Sequence, residues 1–95
     1  LDYSELEFSG HAIRRMFERR INEEDVLQVV RHGKVIIEYP DDKPYPSYLL
    51  LGYPRDTPLH VVIGVEPATK HARVITVYIP DDFKWDDSYS VRNLK

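Results

Sequence analysis

The 95-residue chain has no cysteine, so neither a disulfide framework nor a thiolate zinc site can hold it together. Its apolar core must do that alone. No apolar run approaches the roughly 20 residues that span a bilayer, and no basic-then-apolar leader opens the chain. The expectation is a cytoplasmic chain with no membrane partner. Glycine is scarce, with 4 in all, and no glycine-rich phosphate loop, Gly-x-Ser-x-Gly elbow or nucleotide fingerprint is present. His11, His32, His60 and His71 show no metal-ligand spacing and no accompanying carboxylate pattern, so no metal and no cofactor are expected. Basic charge is not in excess either. The net charge of -3 argues mildly against a protein that coats nucleic acid, because phosphate affinity comes from lysine and arginine.

What is present is unevenly placed. Arg14, Arg15, Arg19, Arg20, Arg31 and Lys34 gather in the first third, whereas Asp81, Asp82, Asp86 and Asp87 gather near the end. A local basic surface can bind RNA on a chain that is acidic overall. The length suits one domain, residues 1–95, with no room for a second core.

The densest stretch is Ser9 to Arg20. At 3.6 residues per turn, Ala12, Ile13, Met16 and Phe17 fall on one side, while His11, Arg14, Arg15 and Glu18 fall on the other, with Arg19 between. Ser9 is the expected N-cap, with Phe8 stapling to Ile13. A second helix starts at Asn22, has Glu23, Glu24 and Asp25 in its first turn, and carries an apolar stripe of Val26, Leu27, Val29 and Val30. Gly33 is expected to stop it as a left-handed cap. Ahead of both helices, Leu6 and Phe8 alternate with Glu5 and Glu7, which suits a brief edge strand.

From Lys34 the hydrophobic period falls to two. Strands are expected over 34–39, 48–53, 59–65 and 73–79, joined by a proline-punctuated loop at 40–46 and short turns at 54–58 and 66–70. Short connections imply an antiparallel meander. The fold class is therefore α+β: two N-terminal helices packed on a four-stranded antiparallel sheet, with a short N-terminal edge strand beside it. Leu49, Leu51, Leu59, Val61, Ile63, Ile75 and Val77 are assigned to the core, and Tyr48, Leu50, His60, Val62, Thr76 and Tyr78 to the opposite face. Phe83 and Trp85 are expected to fold back on the body, and the residues from Ser88 onward to be loosely held.

Two constellations carry chemistry. His11 with Arg14, Arg15 and Glu18 can hold a phosphate between guanidinium forks while the imidazole exchanges a proton with a leaving oxygen. The plain counterpart is a solvated face with an ordinary Arg14–Glu18 pair. His60, Tyr48 and Tyr78 form the second group, able to act as a base on a 2′-hydroxyl or to stack on an unpaired base. Tyrosine on a half-buried strand also packs well without any further role. Lys43, Arg55 and Arg73 supply a cationic rim. If both helices cover one sheet face, His11 cannot share a pocket with Tyr78 unless the first helix sits at the sheet edge. Two sites are thus kept, with His11 and Arg15 preferred.

The run from Phe8 to Ile21, with Asp25-Val26, Glu38-Tyr39-Pro40-Asp41-Asp42, Pro44-Tyr45-Pro46, Pro58-Leu59-His60-Val61-Val62, Ile75-Thr76-Val77-Tyr78 and Trp85, resembles the bacterial family called domain of unknown function 4258. That family is similar to RelE-type and MqsR-type toxins of toxin–antitoxin pairs. The resemblance implies a RelE-like fold and a metal-independent endoribonuclease acting on mRNA. It also implies an antitoxin partner of the zinc-finger MqsA/YgiT sort. Under it, His11 or His60 moves protons and Arg15 or Arg19 holds the phosphate, while Tyr78 resembles in position the late-strand tyrosine of those toxins. Arg14, Arg19, Lys43, Arg55 and Arg73 become the RNA-binding set. The competing reading is a non-catalytic protein-binding module on the same fold.

Overall fold

A computed structural model of the chain describes residues 1–93. The order is β1 (Glu5–Phe8), α1 (Gly10–Arg19), α2 (Glu23–His32), β2 (Lys34–Tyr39), β3 (Ser47–Gly52), a short 3-10 turn (Pro54–Asp56), β4 (Leu59–Val65) and β5 (His71–Tyr78). The two helices and the meander are those read from the sequence. The sheet is not four-stranded and antiparallel, however. It has five strands in the order β1-β5-β4-β3-β2, and β1 joins it parallel to β5. No helix among the described residues is long and apolar enough to cross a membrane.

Both helix starts follow from their caps. The Ser9 side chain accepts a hydrogen bond from the Ala12 N–H at 3.0 Å, and Asn22 accepts from Asp25 N–H at 2.9 Å. Ile21 and Val26 are both buried, as a staple requires, but Ile13 stands 57% exposed, so Phe8 packs into the core without it. Gly33 does cap α2, yet with extended backbone (φ -71°, ψ 168°) and not the left-handed geometry expected. Its glycine identity has another cause. A Cβ there would sit 2.4 Å from the Val29 carbonyl oxygen and 2.9 Å from that of Leu51, closer than backbone permits.

α1 packs on β5, whereas α2 packs on β3 and β4. The helix-side core joins Ala12, Val26, Val29 and Val30 to Leu50, Leu59, Val61, Ile63, Val74 and Val77. Leu59, Val61, Ile63 and Val77 thus lie where expected, but the β3 assignment is off by one residue. Leu50 faces the helices as the partner of Val61, while Leu49 and Leu51 pair with Val62 and His60 and share the opposite face. All three leucines are buried, so polarity alone could not have told the faces apart. Ile75 is also corrected. A register shift in β5 opposite Val62 and Ile63 inserts it as an extra residue, and it is 38% exposed.

The opposite face is covered by the C-terminal segment. Trp85 is 3% exposed and bridges to Arg92, and the Asn93 amide donates to the carbonyls of Phe83 and Trp85, both at 3.1 Å. Phe83 itself does not fold back, being 76% exposed. Residues 88–93, expected to be loose, are tied to 81–86 by the Asp86 N–H bond to the Val91 carbonyl and the Asn93 N–H bond to that of Lys84. Residues 94 and 95 lie outside the described residues.

Candidate functional site

The site begins with where β1 stops. Its four residues pair with the first half of β5, from His71 to Val74, leaving the carbonyls beyond Val74 without a strand partner on that edge. α1 takes over that edge. Ser9 N–H donates to the Val74 carbonyl at 3.0 Å, its hydroxyl donates to Ile75 at 3.0 Å, and the Arg19 guanidinium donates to Val77 at 3.0 Å. The helix therefore lies along the sheet edge, the arrangement that lets its polar side meet Tyr78.

α1 is turned accordingly. Ala12 is buried and Met16 packs against the core, while Phe17 (86% exposed) and Ile13 point to solvent. His11, Arg15 and Arg19, four residues apart, form one ridge. They border an open cleft of about 550 Å³ whose far side is built by Thr76, Tyr78, Asp81, Lys84, Trp85 and Arg92. Among the described residues that line it, Arg15, Arg19, Lys84 and Arg92 stand against one carboxylate, Asp81, so even with Arg15 paired to Glu18 at its edge the cleft is electropositive on a chain of net charge -3. Arg15 is braced by Glu18 at 2.7 Å, replacing the Arg14–Glu18 pair expected. Arg92 lies over the Trp85 ring, 5.3 Å from its centroid.

Behind Tyr78 is His60, fully buried at 0% exposure and wedged edge-on between Trp85 (centroids 4.5 Å apart) and Tyr78 (5.2 Å). Its Nε2 lies 2.8 Å from the Tyr89 carbonyl oxygen, which can only accept, so Nε2 carries the hydrogen. Nδ1 is then the acceptor for the Tyr78 hydroxyl at 3.2 Å. Burial pushes the imidazole below its ordinary value of 6.5; the Tyr89 carbonyl opposes this and Arg92 adds to it. Burial likewise lifts the Tyr78 hydroxyl above 10.0, with Tyr39 adding and Arg92 opposing. At neutral pH this is a neutral histidine holding the proton of a neutral tyrosine, whose ring borders the cleft.

Residues 8–79 match the family described as Domain of unknown function (DUF4258). The chain belongs to that family. No curated protein and no solved structure shows a significant match. The DUF4258 segment holds His11, Arg15, Arg19, His60 and Tyr78, whereas Asp81, Lys84, Trp85 and Arg92 follow it in the chain.

The expected residues thus divide by place. His11, Arg15, Arg19 and Tyr78 meet in one cleft, and the two candidate sites merge. His60 does not line that cleft; it sits behind two residues that do, Tyr78 and Trp85. Lys43 and Arg73 border a second pocket, which also includes His11. Arg14 borders neither, and Arg55 pairs with Asp25 beside a different hollow near Arg20 and Ile21. Tyr48 packs against the helix-side core, away from His60 and Tyr78. Lys84 and Arg92 were missed because they sit in an acidic, loop-forming segment with no periodicity. The chain's one tryptophan was the available signal for that segment.

Proposed function

We propose that this DUF4258 domain is a metal-independent endoribonuclease that cleaves mRNA by attack of a 2′-hydroxyl on its own phosphodiester, acting as the toxin of a toxin–antitoxin pair. The observation that carries the reading is the convergence of the α1 cations with the Tyr78–His60 pair in one cleft. A phosphate bound there meets Arg15 and Arg19, which match its oxygens in geometry and charge. Tyr78 takes the 2′-hydroxyl proton as its own passes to His60 Nδ1. The 2′-oxygen bonds to phosphorus, the P–O5′ bond breaks, and His11 gives the departing 5′-oxygen a proton. The products are a 2′,3′-cyclic phosphate and a 5′-hydroxyl end. The arginines act where charge grows on the pentacoordinate phosphorus.

The test is cleavage of a single-stranded RNA by the purified protein in chelator, with product ends identified by mass. Wild type should cut and leave a cyclic phosphate. His11→Ala and Arg15→Ala should lose activity while unfolding at the wild-type temperature, since both positions are solvent-accessible. Absence of cleavage by folded wild type at micromolar enzyme overturns the reading.

A second reading, a non-catalytic protein-binding module, is favoured by one feature. Ile13 and Phe17 form an apolar pair on the outer side of α1 that nothing among the described residues covers. Under the toxin reading the same pair suits docking of the zinc-finger antitoxin. Expression without growth arrest, with complex formation lost in Phe17→Glu, would favour the module.

A further inference from the structure

Next to the cationic cleft lies a second pocket of about 310 Å³, and His11 belongs to both. Its walls are the Pro44 and Tyr45 side of the β2–β3 loop and Ile75 of β5, and Gly64 leaves room between them. A Cβ at Gly64 would already approach the Ile75 Cδ1 at 3.3 Å, so any larger residue would intrude on the space. The size falls near the lower end of small-molecule sites, roughly 300–1,000 Å³. Tyr45, which lines this pocket, is 41% exposed.

We propose that this pocket takes an unpaired nucleobase, flanking the phosphate held in the adjoining cleft. It rests on the reading of the cleft as an RNA site. Three observations select a base over a second phosphate or a lipid chain. The walls are largely apolar and aromatic, which suits a flat π-system. Cations stand at the rim, where a backbone would pass: Lys43 and Arg73, the latter 56% exposed and held through Nε by Glu7 at 3.6 Å. The one acid among the described residues that line it, Asp42, is anchored by the Ser47 hydroxyl; a carboxylate there repels phosphate but accepts from the N–H edge of a base. The pocket is therefore specific for single-stranded substrate, because a paired base cannot enter it.

The experiment measures binding separately from cleavage. A fluorescent hexanucleotide of mixed sequence, 2′-O-methylated so that it cannot be cut, is titrated with the full chain and with Tyr45→Ala, Tyr45→Phe and Gly64→Val. Thermal unfolding serves as the folding control. Tyr45→Ala should weaken binding about 5- to 150-fold, the range of one lost base stack. Tyr45→Phe should restore it, Gly64→Val should weaken it, and a duplex of the same sequence should bind alike to wild type and all three variants. Equal affinity of folded Tyr45→Ala and wild type for the hexanucleotide overturns the proposal, and cleavage of unmodified RNA in that case leaves the nuclease reading standing. Tyr45-dependent binding by a protein that cuts no RNA does the reverse. A wild type that fails to bind the hexanucleotide overturns both.

Discussion

Replacing Tyr78 by Phe removes one oxygen and leaves the ring, so the edge-on packing against His60 at 5.2 Å is kept. What is lost is the hydroxyl donated to Nδ1 at 3.2 Å, in a histidine with no exposed surface. An acceptor left unpaired in such a place costs about 1–3 kcal/mol. For a domain of this size each kcal/mol lowers the unfolding midpoint by about 4–8 °C. Even at the upper figure, a domain of about 5 kcal/mol total stability keeps about 2 kcal/mol and stays more than nine-tenths folded at 25 °C. Unfolding alone therefore cannot remove more than a tenth of the activity. General-base catalysis, by contrast, contributes about 10²–10⁴ in rate. Single-turnover cleavage at saturating enzyme should fall by that factor, with RNA affinity unchanged. His60→Gln should also be slow, and the double variant should be no slower than Tyr78→Phe alone, since His60 acts through that hydroxyl. A Tyr78→Phe protein that cuts within about threefold of wild type would refute the proton path and leave the pair a packing feature.

Three further outcomes follow from single contacts. Gly33→Ala should destabilise by about 1–3 kcal/mol in denaturant unfolding, because its Cβ meets two backbone oxygens that cannot move aside; an unchanged midpoint would show that α2 and β3 can separate freely. Stability should depend on pH in two windows. The unfolded chain protonates His60 near 6.5 and the folded chain resists, so this contribution is complete above about pH 6.5 and is lost as pH falls toward the lowered folded value. His60→Gln should flatten that window alone. The carboxylates of Glu7 and Glu66, held below 4.5 chiefly by His71 and by the Ala68 N–H respectively, lose their contribution only as pH falls below that value. Phe17→Glu should leave the free energy of unfolding, measured in denaturant, within about 0.5 kcal/mol of wild type, as expected of a side chain 86% exposed.

How much of this was legible depends on the range of the interaction concerned. The caps at Ser9 and Asn22 are local, and both were readable from residue type and the apolar period that follows. Gly33 was readable as a stop but not for its reason, which lies in the approach of the Leu51 carbonyl from another element. The face of β3 was not readable, because Leu49-Leu50-Leu51 has no alternation and every member is buried. Ile75 was misplaced for a related cause: the extra residue in β5 changes which side the following residues face, and only the partner strand shows it. Trp85 could be expected to fold back, but its seat on His60 depends on a loop with no period of its own.

The candidate site was legible as parts and not as a whole, and the reason is a single topological fact. Helical spacing put His11 and Arg15 on one face, though grouped with Arg14 and with Arg19 left between the faces, and the pairing of His60 with Tyr78 follows from strand register once β4 and β5 are aligned. Nothing local says that the two meet. They meet because β1 is only four residues long and lies parallel to β5, so that the chain turns into α1 halfway along the edge and not beyond it. Had β1 continued, its backbone would have satisfied the Ile75 and Val77 carbonyls that Ser9 and Arg19 now serve, and the helix would have begun past Tyr78. The same bond that fixes Arg19 to the edge therefore fixes the distance between the cations and the tyrosine, and the site's geometry is set by where one short strand ends.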